Sequence, residues 1–348
     1  MKVLILGGTR FLGKALVEEA LKRGHEITLF NRGTNKETFP EVEQLIGNRD
    51  SDVSSLENRK WDVVMDTCGF APHQIKKIAA VLGNNIQHYI YISSISAYKD
   101  WIPLNITEDY HLQPMPPDNK LKDIEEGKIS PYEYYGALKV LCETETEKHW
   151  PGRVLHIRAG LLVGSFDYSD RLPYWVQRVA QGGKILVPGR PDRPIQLIDV
   201  KDVATWVFDM VENRKVGTFN VTGPDYELTI EELLNTCKAV TNGDAEFVWA
   251  DEQFVLDHKI QPWTEMPLWI PEHFPLEGET EPWKGASFIS VEKAVNAGLS
   301  FRPLKDTIHD VYQWEKARQD SERKTGISRE REQELLENWF QKEKKETL

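Results

Sequence analysis

Apolar positions along this chain alternate between short, largely apolar runs and longer stretches in which they recur every three or four residues. Residues 2–6 are such a run, residues 12–23 have helical spacing, and residues 26–30 are apolar again. The same order returns further on: residues 61–66, 88–94, 154–158 and 217–223 read as strands, and residues 201–212 as an amphipathic helix. Strands that are apolar on both faces and separated by helices belong to a parallel sheet covered on each side. The expected fold class is therefore α/β, a doubly wound parallel sheet. At residues 130–139, Ser130 reads as an N-cap, Pro131 as the first helical residue and Glu133 as the carboxylate of a capping box. A helix opening there puts Tyr135 and Lys139, four residues apart, on one face.

Between the first strand and the first helix lies Gly7-Gly8-Thr9-Arg10-Phe11-Leu12-Gly13. A strand, a glycine turn, a helix and a second strand in sequence make a dinucleotide-binding unit, in which a pyrophosphate meets backbone N–H groups at the helix N-terminus. The second strand ends in Asn31-Arg32-Gly33, without an acidic residue for a ribose 2′-hydroxyl and with an arginine suited to a 2′-phosphate. NADP(H) is accordingly favoured over NAD(H). Asn48 and Arg49 fall at the end of the third strand, where they either meet the adenine or sit in a solvated loop. Cys68 and Gly69 follow the fourth strand and could line the cofactor. With no basic neighbour in the sequence to activate it, Cys68 reads as packing rather than as a nucleophile.

Charge and composition narrow the partners. With 43 basic and 55 acidic residues the formal net charge is −12, which argues against a general nucleic-acid or anionic-membrane partner. The three cysteines have no paired spacing, no His/Cys/Asp/Glu cluster has metal spacing, and no apolar run approaches the length of a membrane span. A cytoplasmic protein without metal or membrane contact is expected. Residues 1–165, completed by about 194–222, read as a Rossmann dinucleotide-binding domain, and residues 166–193 and 223–318 as a smaller α/β substrate lobe. Residues 319–348 read as a charged helical tail with Leu335, Leu336, Trp339 and Phe340 on one face, and the Trp- and Pro-rich stretch 249–283 as a pocket wall or a subunit contact.

Tyr135 and Lys139 carry the candidate chemistry. A phenol of pKa about 10 must fall by roughly three units, about 4 kcal/mol, to exchange protons near neutrality. A helix N-terminus offers about 0.3–1 kcal/mol of that, and burial acts in the opposite direction. A cation has to supply the rest, either Lys139 or an oxidised nicotinamide. Taken alone, Tyr-x-x-x-Lys is equally a half-buried aromatic with a lysine stem laid along it.

The glycine loop, the strand end Ser93-Ser94-Ile95-Ser96-Ala97-Tyr98, Tyr135-x-x-x-Lys139, Arg158-Ala-Gly160-Leu-Leu-Val-Gly164 and Ile198-Asp-Val-Lys-Asp202 occur in that order. Together they resemble the extended or atypical short-chain dehydrogenases/reductases of the epimerase/dehydratase-like branch. The resemblance implies that Ser94 polarises the substrate oxygen, that Tyr135 passes the proton, and that Lys139 holds the nicotinamide ribose and lowers the tyrosine pKa. Ser93 and Gly160 would lie beside the nicotinamide. Ser96, Arg190, Arg193 and Trp263 are candidate substrate contacts. Sugar-nucleotide enzymes of the family carry a diphosphate-clamping arginine where Ile195 stands, so Arg193, two residues early, is a departure from the pattern. Residues 99–129 are a lid or an insertion, with Trp101, Tyr110 and His111 as further candidates, and His156 reads as a satisfied core histidine. The leading expectation is an NADP(H)-dependent oxidoreductase acting on a small carbonyl or alcohol. The alternatives are a sugar-nucleotide epimerase or dehydratase with a retained dinucleotide, and a noncatalytic nucleotide-binding scaffold or RNA-associated protein. Relatives commonly pair through the helix bearing the tyrosine, which implies a homodimer.

Overall fold

A computed structural model describes residues 1–35, 38–318 and 323–346. The first half runs β1 (Lys2–Leu6), α1 (Phe11–Lys22), β2 (Glu26–Asn31), β3 (Glu43–Ile46), β4 (Trp61–Asp66), α2 (Pro72–Leu82), β5 (Ile86–Ser94), α3 (Asp118–Glu125), α4 (Tyr135–His149) and β6 (Val154–Ala159). It continues through β7 (Leu162–Val163), α5 (Arg171–Ala180), β8 (Lys184–Pro188), β9 (Ile198–Asp199), α6 (Val200–Glu212) and β10 (Gly217–Val221). The remainder holds α7 (Ile230–Thr241), β11 (Glu246–Ala250), α8 (Glu252–Asp257), α9 (Glu292–Asn296), α10 (Leu304–Ala317) and α11 (Arg329–Glu346).

Seven strands form one sheet in the order β10-β6-β5-β4-β1-β2-β3, every pair parallel. The sheet grows outward in both directions from β1 and β4, so the strand order reverses between them. A crevice opens there at the carboxyl ends, the position at which open α/β sheets take ligands. Helices α1 and α6 cover one face through Leu16, Val17, Val203 and Val207, while α2 and residues of α4 cover the other through Ile75, Ile78 and Cys142. Outside the sheet, β8 pairs with β11, and a separate apolar cluster joins α5, α7 and α10 to this pair. Leu335, Leu336 and Trp339 of α11 are buried in that cluster, and Glu332 makes a buried ion pair with Arg178 of α5 at 2.7 Å. Of the tail expected over residues 319–348, residues 319–322 and 347–348 lie outside the described residues. Among the described residues no helix is long and apolar enough to cross a membrane.

The expected helix opening at residues 130–139 is corrected. Residues Pro131–Tyr134 form a 3₁₀ turn, and α4 starts only at Tyr135. Ser130 does cap that turn, its hydroxyl accepting from the Tyr132 N–H at 3.3 Å. Glu133 makes no capping-box bond back to Ser130. The stretch after β5 is tied to the sheet as an insertion. Asn220 of β10 accepts from the Tyr98 hydroxyl, donates to the carbonyls of Ile106 and Ser290 at 3.3 and 3.1 Å, and presents its N–H to Glu108 at 2.7 Å. Trp101 packs edge-on against Trp283, and Tyr110 donates to Asp100 at 2.7 Å. Those two aromatic side chains hold the insertion in place, and His111 is exposed.

Candidate functional site

The crevice begins with the glycine turn. Gly7 and Gly8 have φ of +106° and +91°, a backbone closed to ordinary side chains, and a Cβ on Gly7 would stand 2.5 Å from the Thr67 hydroxyl. Arg10 caps α1 without a side-chain bond, so the first N–H groups of this helix face the crevice. A narrow, side-chain-free cradle at a helix N-terminus fits a pyrophosphate. Thr9, Phe11, Leu12 and Gly13 continue it, and Gly13 presses against the Gly8 backbone.

At the end of β2, Asn31 accepts from the Gly33 N–H at 2.7 Å and donates to Gln44 at 3.2 Å, so its amide shapes the turn. Arg32 is exposed and has no hydrogen-bond or ion-pair partner among the described residues. Asn48 is engaged in its own turn, accepting from the Asp50 N–H at 3.0 Å. Arg49 faces inward: both its terminal nitrogens reach the Asp66 carboxylate at 2.8 Å, and one touches the Cys68 sulfur at 3.2 Å. The buried pair, which Tyr89 completes by donating to Asp66 at 2.8 Å, puts Arg49 in neither of the two expected places, an adenine contact or a solvated loop. Burial alone would raise the Asp66 carboxyl, but the charge and hydrogen bonds of Arg49 hold it below the usual range. Burial pushes the Cys68 thiol up, which leaves it a packing residue.

The reactive groups meet across two segments. Ser94 ends β5, and its hydroxyl accepts from the Ser96 N–H at 3.1 Å. Gly136, the residue after Tyr135, is what brings α4 against this turn, since a Cβ there would lie 1.9 Å from the Ser96 carbonyl oxygen. The Ser94 hydroxyl consequently lies close enough to the Tyr135 phenol to act on it. Burial raises the Tyr135 phenol, while Ser94 and the charge of Arg171 act to lower it. Lys139 is 3% exposed and donates to the carbonyls of Gly69 and Ile92 at 2.9 and 2.8 Å. Its ammonium stands 5.6 Å from the Tyr135 ring centroid and 4.9 Å from that of Tyr91, and burial draws its pKa down to about 8. Gly69 thus contributes a carbonyl that seats the lysine.

Other expected residues lie elsewhere. The Ser93 hydroxyl donates to Glu143 inside the sheet–helix interface, and Glu143 is paired with Arg158 at 2.8 Å. Ser93 therefore fixes α4 to β5. Gly160 is filled on its open side by Thr222, whose hydroxyl a Cβ would meet at 2.3 Å. Arg190 is held by Asp192 and Glu272, each at 2.9 Å. Arg193 is buried and donates to the Leu268 carbonyl at 3.2 Å. His156 is satisfied by Thr146 and Thr218. The sequence reading missed Gly136 and Arg171, along with the aromatic rim of Phe70, Tyr132 and Tyr168 around Tyr135. A glycine directly after the tyrosine was the legible signal for the first of these.

The model of the NAD dependent epimerase/dehydratase family matches residues 3–222. The chain belongs to that family. It is an enzyme of a dinucleotide-using class, and the family matches the epimerase/dehydratase alternative better than the small-carbonyl reductase. Chloroplast stem-loop binding protein of 41 kDa b from Arabidopsis thaliana is 29% identical over 260 residues, 68% of this chain and 62% of that protein. The match therefore spans less than two thirds of that relative's length. The UDP-N-acetylglucosamine 4-epimerase of Methanobrevibacter ruminantium M1 aligns with a TM-score of 0.66 at 16% identity, covering 91% of this chain and 98% of that one. The UDP-glucuronic acid 4-epimerase of Bacillus cereus, solved with NAD, aligns at 0.64 and 15% identity, covering 91% and 99%. At these identities the likeness is one of fold.

Proposed function

We propose that the protein is a sugar-nucleotide epimerase or dehydratase that works on a retained nicotinamide dinucleotide. The observation carrying this reading is the approach of the Ser94 hydroxyl to the Tyr135 phenol across the Gly136–Ser96 contact, at the carboxyl ends of the sheet that also holds the glycine cradle. A dinucleotide bound there would take up a hydride from a substrate carbon and give it back. Tyr135 would remove the proton from the hydroxyl being oxidised, Ser94 would hold that oxygen, and Lys139 would keep a positive charge beneath the phenol. The fold neighbours that act on UDP-sugars support the substrate class. Stem-loop binding, named in the Arabidopsis relative, is disfavoured by the net charge of −12.

The test is to incubate the protein with UDP-glucose, UDP-N-acetylglucosamine and UDP-glucuronate, following the sugar by NMR and the nicotinamide by absorbance. Epimer or dehydrated sugar should form without net change in reduced dinucleotide. Stoichiometric consumption of NADPH on small aldehydes or ketones, with no change in any UDP-sugar, would restore the reductase reading.

Arg32 and the self-occupied Asn31 support NADP(H) over the NAD found in the Bacillus cereus neighbour. A lone guanidinium on a phosphate is worth about 1.5–3 kcal/mol as a charged hydrogen bond. Arg32→Ala should therefore weaken NADP⁺ binding by about tenfold or more and leave NAD⁺ within about twofold. Titration calorimetry with both dinucleotides reads this directly, and equal losses would remove Arg32 from cofactor choice.

A further inference from the structure

The loop between β7 and α5 runs along the open side of the crevice, with Tyr168 against Phe11 of the glycine turn at 6.2 Å between ring centroids. Asp167 in this loop is 1% exposed; one carboxylate oxygen accepts from Ser169, and the other is buried with no partner. Arg171, the first residue of α5, follows. Its guanidinium carbon lies 4.7 Å from the centre of the Trp263 indole, and its Nε is enclosed without an acceptor. Four other arginines of this lobe are neutralised, Arg178 by Glu332, Arg190 by Glu272, Arg318 by Asp170 and Arg323 by Glu315, while Arg193, also without an ion pair, is spent on the Leu268 carbonyl. Arg171 has no ion pair among the described residues. It also lies close enough to act on the Tyr135 phenol, and burial lowers its own pKa, the response of a cation enclosed without a full counter-charge.

A planar donor fork laid over an indole is held in one plane, partly dehydrated and open to a bidentate acceptor. We propose that Arg171, backed by Trp263, clamps an oxyanionic group of the substrate whose hydroxyl is presented to Ser94 and Tyr135. This rests on the proposed function, under which the anion is the diphosphate of the sugar nucleotide. Arg171 then occupies the role that the position of Ile195 leaves empty, from a different element. The unpartnered oxygen of Asp167 lies in the same loop and attracts the guanidinium without closing an ion pair on it.

Calorimetry on the full chain loaded with dinucleotide tests this with three probes: UDP, uridine and glucuronate. UDP should bind the wild type more tightly than uridine does. Arg171→Gln should weaken UDP by about tenfold or more, leave uridine within about twofold, and leave dinucleotide affinity unchanged. Arg171→Lys should recover only part of the loss, since an ammonium lacks the paired donors. Unchanged dinucleotide affinity also shows that the variants are folded. If glucuronate binds in an Arg171-dependent way and UDP does not, the clamp stands and the sugar-nucleotide reading falls. Equal losses for UDP and uridine, or no loss of either anion, would overturn the clamp.

Discussion

Replacing Tyr135 with phenylalanine is expected to lower turnover by roughly 10²- to 10⁴-fold, the range for loss of a positioned general acid or base. The dinucleotide Kd should stay within about twofold, because the cradle at Gly7 and Gly8 is built from β1 and α1 and owes nothing to the phenol. The ring itself remains in place, stacked near Tyr132 and Phe70, so the substitution removes one oxygen without opening a cavity. Ser94→Ala should cost less than Tyr135→Phe, since Ser94 holds the reacting oxygen but does not exchange its proton. Single-turnover and steady-state rates on the substrate found by the UDP-sugar assay, with calorimetry for the cofactor, supply the measurements. Turnover in Tyr135→Phe within about tenfold of wild type would take the phenol out of the reaction.

The second large effect concerns stability. Asp66 is fully buried, and Arg49 supplies its charge partner through two contacts of 2.8 Å. Arg49→Leu leaves an uncompensated carboxylate in the core and should cost about 3–5 kcal/mol in urea unfolding at neutral pH. A double variant, Arg49→Leu with Asp66→Leu, removes both charges and should recover much of that loss. The pH dependence has a definite sign. The folded Asp66 carboxyl is held below its ordinary value, so the pair stabilises the protein above the unfolded carboxylate pKa of about 3.9 and loses this contribution as pH falls through the folded value. The deficit of Arg49→Leu relative to wild type should therefore be full at neutral pH and shrink in acid. A deficit independent of pH would show that Arg49 acts through its bulk.

Much of the sheet was legible because a strand covered on both faces has a local signature. β1, β2, β4 and β5 are largely apolar between polar or glycine boundaries, and their order around a glycine turn was enough to place the crevice. Tyr135 and Lys139 were legible through helical spacing, although the 3₁₀ turn before α4 shows that a proline and a cap mark where helical structure begins without fixing its pitch. Arg49 was not legible. A residue at a strand end can turn toward the ligand or beneath the sheet, and Asp66, seventeen residues away, decides which. Ser93 and Ser94 illustrate the same limit at adjacent positions. Alternation bonds one hydroxyl to Glu143 and turns the other toward the crevice near Tyr135, and which is which depends on the face that α4 covers. Arg171 was hidden for a further reason: its significance comes from lacking an acid, a property of tertiary surroundings that no spacing encodes.

The close seating of Gly136 on the Ser96 carbonyl has a consequence for how this molecule could be tuned. Helix and strand end are locked like the two jaws of a fixed gauge, so the spacing of the Ser94 and Tyr135 backbones is fixed and only their side-chain rotamers remain to adjust. New substrates would have to be accommodated at the rim, by exchanging Phe70, Tyr132 or Tyr168, while the gauge itself stays constant. A methyl group at position 136 would spread the jaws, and no change at the rim could bring them back.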